Sequence, residues 1–478
     1  MRFQIDEVQA DGRWVPLTDY RASENSENIF TLIVGQNAVG KSRLLRKIVS
    51  NYIFSQGNRT KSSVRPVGFY NQNYSPLQNQ ISRNFKNTIY YNSSNKVLPF
   101  DSLYSSGNYY DGEVRASRYS SVSPSNVIAV STGRHDRFPS AAHIKNKEII
   151  AEYRYIGTDQ FSKNSIPSSL ISLLEGLLQG RQSLHKLSHI FEYLGFAPYL
   201  DIKLSFDQKQ YSKLTTDEIH ELHYSSDRPL LEFLIGDESR FHDSYSKTAG
   251  FYEYLKNRSK TNIQLDFWDH SPEIQRNTIN ELLPFLKSGL IKIFDITLIT
   301  LADKSRMRLS QASSGQQCML TIMLGIAGAI KDGSLICIDE PEISLHPQWQ
   351  SNMVKQLQEV FANFSGCHFV IATHSTQIVS GLTSNNGYVL NLEEKELYHS
   401  FEYAKRSADF QLAEVFHTPG QNNEYLLRIT LLLLTKLTRR EELNSEDLET
   451  LATLVSLRKN MSNSDPVYHL IGQVEALY

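Results

Sequence analysis

The sequence predicts an α/β fold, a mixed sheet flanked by helices, with a helical insertion and a helical C-terminal tail. Three observations predict it. Apolar runs at 29–34, 127–131, 334–338 and 367–372 are each short enough to be a buried strand, and each leads into a turn. Segments with apolar residues at helical spacing lie between those runs. Beyond residue 405 the spacing is helical throughout.

From the N-terminus, residues 1–17 open as strands. The run at 29–34 is followed by Gly35-Gln36-Asn37-Ala38-Val39-Gly40-Lys41-Ser42, then by Leu44, Leu45, Ile48 and Val49 at helical spacing. Strand, glycine-bearing turn and helix is the setting in which G-x-x-x-x-G-K-S wraps a phosphate chain. Gly35, Asn37 and Gly40 belong to the turn whose backbone N–H groups would curl round the phosphates at a helix N-terminus. Lys41 would reach the β- and γ-phosphates, and Ser42 would ligate Mg²⁺. A nucleoside triphosphate is the expected ligand.

Residues 57–123 are rich in Ser, Asn and Tyr with little apolar periodicity, and read as a long loop insertion. Its tyrosines interleave with Arg65, Arg83, Arg115 and Arg118. A solvated surface insert is the plainer reading, and a stacking surface for single-stranded nucleic acid is the alternative. Residues 165–290 read as a compact helical insertion, led by Leu170, Leu173, Leu174 and Leu177. That stretch has no sustained heptads.

The segment Ala312-Ser313-Ser314-Gly315-Gln316-Gln317 stands at the start of a helix over 315–331, with Met319, Ile322, Met323, Ile326 and Ile330 on one face. A serine and a glycine at a helix start make an anion site with little side-chain bulk. The strand at 334–338 ends in Asp339-Glu340, where carboxylates point into the crevice used by ligands of α/β sheets. Asp339 would hold Mg²⁺, and Glu340 would orient and deprotonate an attacking water. A helix at 348–361 leads to the strand at 367–372 and to Thr373-His374-Ser375. A hairpin at 388–398 follows, and then the helical tail, with Asn422 or Asn423 capping a helix.

The order of these motifs resembles the heads of ABC-type ATPases. Ser313, Gly315 and Gln316 match the family's signature segment, while Ala312 and Ser314 depart from it. The resemblance implies an ATP bound between two copies of the chain, with Ser313, Gly315 and Gln316 facing the partner's phosphate loop. It implies that His374 touches the γ-phosphate, and that residues 343–347 cross towards the partner. A glutamine after a strand of the first lobe is missing from 132–138, and Gln160 is a weak substitute. On this pattern 1–164 is the first lobe of the head, 165–290 the helical insertion, 291–405 the second lobe and 406–478 the helical C-terminal region.

The run Asp339-Glu340-Pro341-Glu342-Ile343-Ser344-Leu345-His346-Pro347 is similar to stand-alone bacterial ATPases related to RecF and the OLD nucleases. Together with 127–139, 313–317 and 408–416 it resembles the PtuA-type ATPases of Septu anti-phage systems and of related retrons. That resemblance implies an ATPase, self-assembled head to head, that controls a separate HNH nuclease of the PtuB type. A RecF-like repair ATPase that contacts DNA is the alternative. A transporter subunit is disfavoured by Leu345-His346-Pro347 and by the insertion.

Composition fits a cytoplasmic enzyme. Lys and Arg number 49 against 51 Asp and Glu, so the chain projects no global field for a polyanion. The three cysteines lack metal spacing and read as small buried hydrophobes. No signal peptide and no membrane-length apolar run is recognisable. The ~75 residues after the second lobe are too few for a Toprim nuclease domain, so nuclease activity is not expected of this chain itself.

Overall fold

A computed structural model of the 478-residue chain describes residues 3–10, 13–19, 27–36, 39–57, 124–133, 138–139, 153–157, 166–178, 187–206, 260–267, 279–280, 282–283, 286 and 291–478. Strands β1 (Glu7–Ala10) and β2 (Arg13–Pro16) pair as an antiparallel hairpin. The central sheet has seven strands. They are β3 (Ile29–Val34), β4 (Val127–Ser131), β5 (Tyr153–Ile156), β10 (Leu335–Asp339), β11 (His368–Ala372), β12 (Gly387–Asn391) and β13 (Glu396–His399). Their spatial order is β13-β12-β3-β11-β10-β4-β5, and every neighbouring pair is parallel except β12 with β13.

Burial on both faces explains why the inner strands read as unbroken apolar runs. The pleat then sorts their side chains into two cores. Leu32, Ile128, Ile338, Phe369 and Ile371 face one core, which contains α2 (Ile166–Leu178), α3 (Leu187–Tyr193), α4 (Ser314–Ala329) and α5 (Pro347–Val360). Ile33, Val127, Ala129, Cys337 and Val370 face the other, with Leu44, Leu45 and Ile48 of α1 (Lys41–Gly57) and Phe3 and Ile5 of the N-terminus. Each large aliphatic side chain buried this way contributes about 1.5–3 kcal/mol.

A second sheet is antiparallel, in the order β7-β6-β8-β9: β7 (Lys260–Asp266), β6 (Tyr199–Phe206), β8 (Ile291–Ile299) and β9 (Arg306–Arg308). This corrects the expectation that 165–290 is a helical insertion. The described part of that segment holds α2 and α3, but also β6 and β7, and β6 pairs with β8 beyond its expected end. The leucine-rich run in α2 is strongly helical, whereas β6 shows only a short alternation of buried Leu200, Ile202 and Leu204 with exposed Lys203. Its strand state depends on a partner about 90 residues away, which local periodicity does not reveal. Residues 58–123 of the expected insertion at 57–123, and Gln160, lie outside the described residues.

α6 (Thr376–Gly381) follows β11 and α7 (Ser400–Tyr403) follows β13; the tail contains α8 (Ala408–Glu414), then α9 (Glu424–Thr438), α10 (Ser445–Arg458) and α11 (Pro466–Leu477). The last three share their own core of Leu426, Leu433, Leu454, Leu457, Ile471 and Val474. Asn423 is the cap of α9, its side chain accepting the Leu426 N–H at 2.9 Å.

Candidate nucleotide site

Three parallel strands deliver the chemistry to one edge of the sheet. The carboxyl end of β3 opens into the phosphate loop, that of β10 carries Asp339 and Glu340, and that of β11 leads to His374. Gly35 (φ 147°) and Gly40 (φ 109°) adopt backbone angles that favour glycine, which is what bends the loop round. Asn37 lies outside the described residues.

Lys41 starts α1 and folds its side chain back into the loop. Its Nζ donates to Gly35 O at 2.7 Å and Gln36 O at 3.0 Å, and lies 3.2 Å from His374 Nδ1. Burial pulls the ammonium down to about 8, against the opposing pull of Glu340, Glu342, Glu393 and Asp339. Ser42 Oγ donates to Asp339 Oδ1 at 2.9 Å. A hydroxyl and a carboxylate in contact are hard oxygen donors, and they suit Mg²⁺, which takes few protein ligands and completes its shell with phosphate and water.

Glu340 is held in an unusual backbone state, with φ 49°. Two hydrogen bonds fix it there: its N–H donates to Ala372 O at 2.9 Å, and its carbonyl accepts from Thr132 Oγ1 at 2.7 Å. Its carboxylate lies 3.7 Å from His374 Nε2. Burial, then Lys41, lower the affinity of His374 for a proton. A neutral ring that accepts from Lys41 at Nδ1 carries its hydrogen on Nε2, facing Glu340.

The signature residues stand elsewhere. Ser313 caps α4, accepting the Gln316 N–H at 3.2 Å, while Gln316 Oε1 accepts the Ser313 N–H at 2.9 Å. Gln316 Nε2 donates to Leu194 O at 2.9 Å, so both ends of that side chain serve the local fold. Gly315 is packed so tightly that an added Cβ would lie 2.6 Å from the Trp349 ring. Ser313 and Ser314 are exposed and line a cleft with Ser344, His346 and Trp349. Lys41, Ser42, Asp339, Glu340 and His374 thus converge, whereas the contacts of Ser313, Gly315 and Gln316 described above are with one another, Leu194 and Trp349.

Sequence reasoning gave no role to Thr132, Glu342 or Glu393. Glu393, in the turn between β12 and β13, accepts the Gln36 N–H at 2.5 Å. Glu342 accepts from Thr373 Oγ1 and His374 N. Only Glu342 had a signal, as the second glutamate of Asp339-Glu340-Pro341-Glu342. Thr132 and Glu393 reach the site from segments with no motif of their own.

Residues 203–379 match the family described as AAA ATPase domain. The chain is 25% identical over 183 residues to the Retron Ec83 probable ATPase of Escherichia coli, covering 35% of this chain and 33% of that protein. It is 22% identical over 144 residues to the Retron Vc95 probable ATPase of Vibrio cholerae serotype O1 biovar El Tor, covering 28% and 27%. The chain therefore spans about a third of the length of the curated relatives it matches. Among solved structures, Stu0660 of Streptococcus thermophilus aligns over 100% of this chain and 94% of its own at 10% identity, with a TM-score of 0.31. Among the described residues no helix is long and apolar enough to cross a membrane. The chain is an α/β protein with a phosphate loop in a mixed sheet, a match to the AAA ATPase domain over 203–379, and similarity to retron probable ATPases.

Proposed function

We propose that the chain is an ATPase of the ABC architecture that binds ATP and Mg²⁺ between two copies of itself. In the manner of the PtuA-type ATPases it resembles, it would hold or control a separate HNH nuclease of the PtuB type in anti-phage defence. The observation that carries the ATPase reading is the convergence of Lys41, Ser42, Asp339, Glu340 and His374 at the carboxyl ends of β3, β10 and β11. Its similarity to two retron probable ATPases supports the defence setting.

In this reading Lys41 exchanges the Gly35 and Gln36 carbonyls for phosphate oxygens. Bound Mg²⁺, held by Ser42 and Asp339, would neutralise phosphate charge. Glu340 takes the proton of the attacking water, and its backbone is already fixed by Thr132 and Ala372. His374, with hydrogen on Nε2, places a donor beside Glu340 where the outer phosphate would sit. The cleft at Ser313 would complete the same site on a partner copy.

The test is hydrolysis and assembly together. The purified chain should release phosphate from ATP only with Mg²⁺, and should dimerise or form a higher oligomer when ATP is bound and hydrolysis blocked. Co-expression with the adjacent gene of its own operon should yield a complex if that gene encodes an HNH protein. A chain that neither binds nor hydrolyses ATP would overturn the proposal. A chain that hydrolyses ATP but recruits DNA rather than a nuclease would favour the repair reading.

A further inference from the structure

Within that ATPase reading, we infer that Glu342 is a positioning residue: it holds His374 between Lys41 and Glu340. The parallel ladders end where Glu340 N–H bonds Ala372 O at 2.9 Å and Thr373 N–H bonds Ile33 O at 3.1 Å. One residue later the His374 N–H has left the sheet and needs an acceptor from another part of the chain. Glu342 supplies it. Its Oε1 accepts the His374 N–H, and its Oε2 accepts from Thr373 Oγ1 at 2.9 Å. Thr373 Oγ1 in turn accepts the Ser375 N–H at 2.9 Å.

One carboxyl group therefore spans two residues of the β11 exit from the turn after β10. What it fixes is the main chain that carries the imidazole. That ring bridges Lys41, 3.2 Å from Nδ1, and Glu340, 3.7 Å from Nε2. Glu340 sits two residues before Glu342 on the same turn, so the base and the histidine are referenced to one rigid piece. The carboxyl is partly buried, and that burial raises its affinity for a proton. A protonated group keeps the acceptor for His374 and donates to Thr373 instead, so the tie survives in either state. Its partners lie more than 30 residues away in the sequence.

The test compares Glu342→Ala with Glu342→Gln in the full chain. Glutamine keeps an acceptor for His374 and a donor for Thr373; alanine keeps neither. Glu342→Ala should lower kcat roughly 10- to 100-fold with KM within about threefold, because a catalytic group displaced by an ångström loses rate rather than binding. Glu342→Gln should remain within about threefold of wild type. A second readout needs no hydrolysis: the imidazole nitrogen shifts of His374 in ¹⁵N-histidine-labelled protein at fixed pH. They should move in Glu342→Ala and return in Glu342→Gln. Unchanged His374 shifts in Glu342→Ala overturn the inference, whether or not the wild type turns over ATP. So does an alanine variant with wild-type kcat. A wild type without ATPase activity, whose His374 shifts nevertheless respond to Glu342→Ala, overturns the ATPase reading and leaves the positioning role supported.

Discussion

Lys41 is where burial, charge and the proposed ligand meet. Its ammonium is bonded to two loop carbonyls and is lowered to about 8 by desolvation. A triphosphate would supply charge-assisted acceptors in their place. Such a bond is worth about 1.5–3 kcal/mol, so Lys41→Ala should weaken ATP binding by roughly 10- to 150-fold in isothermal titration. Thermal stability should hold, because the variant removes a desolvated charge rather than core volume. Unchanged ATP affinity would contradict the phosphate-loop assignment. Glu340 carries a different burden. Its left-handed backbone costs about 1–3 kcal/mol, and strain of this kind persists where surrounding bonds impose it, here Thr132 and Ala372. Glu340→Gln keeps the shape but loses the base. Phosphate release should fall by roughly 10²- to 10⁴-fold while ATP binding persists. Wild-type turnover in this variant would remove Glu340 from the mechanism. These residues were legible because their motifs fix local geometry: the glycines bend a loop, and a strand end aims a carboxylate. Thr132, Glu342 and Glu393 were not read, since their roles arise only when distant turns meet.

The elements most legible in the sequence are those whose burial writes a pattern. The four inner strands of the motifs and the helices α4 and α5 lie within a residue or two of their expected limits. β6 and β7 were missed because their order comes from pairing across the chain, where a short alternation competes with a louder helical run in α2. The crossing of α2 and α4 is itself set by glycine. A Cβ at Gly328 would lie 2.1 Å from the Ser172 backbone, and one at Gly176 would lie 2.8 Å from Gly328 O. Ser172 Oγ adds a bond to Gly325 O at 3.0 Å. Two helices this close cannot yield a side chain's width without moving. Gly328→Ala should therefore destabilise the protein by about 1–3 kcal/mol, despite alanine's better helix propensity. Gly472→Ala is the contrast. Its Cβ meets side-chain rather than backbone atoms, the guanidinium of Arg458, which pairs with Glu475 and lies over the Tyr468 ring, so the loss should be smaller than at Gly328, about 1 kcal/mol. Denaturant titration of both variants checks the pair. Equal effects would mean that the α2–α4 contact is not the constraint on α4, whose N-terminus presents Ser313.

At the scale of the whole molecule, no hydrogen bond or ion pair among the described residues joins the two halves of the proposed site within one chain. Lys41, Ser42, Asp339 and Glu340 share one edge of the central sheet, while the exposed Ser313 and Ser314 line a cleft with Ser344, His346 and Trp349. The turn over 341–344 leads along the chain from Glu340 to the cleft. If one ATP uses both, they come from two copies placed with a twofold axis between them, since only such a pairing completes two equivalent sites with one self-complementary surface. The consequence is genetic complementation between dead proteins. Lys41→Ala removes the phosphate half of a site, and Ser313→Arg fills the signature half with bulk and positive charge. Each variant alone should be inactive. Mixed as equal amounts, half the pairs are heterodimers, and each heterodimer contains one site built from an intact Lys41 and an intact Ser313. With each intact site acting independently, recovery should approach about a quarter of wild-type ATPase activity. Ser313→Arg also loses a helix cap, which costs about 1 kcal/mol, so its folding is checked by melting before mixing. Activity no greater than the sum of the separate variants, with both proteins folded and dimer exchange demonstrated, would place the whole site within a single chain.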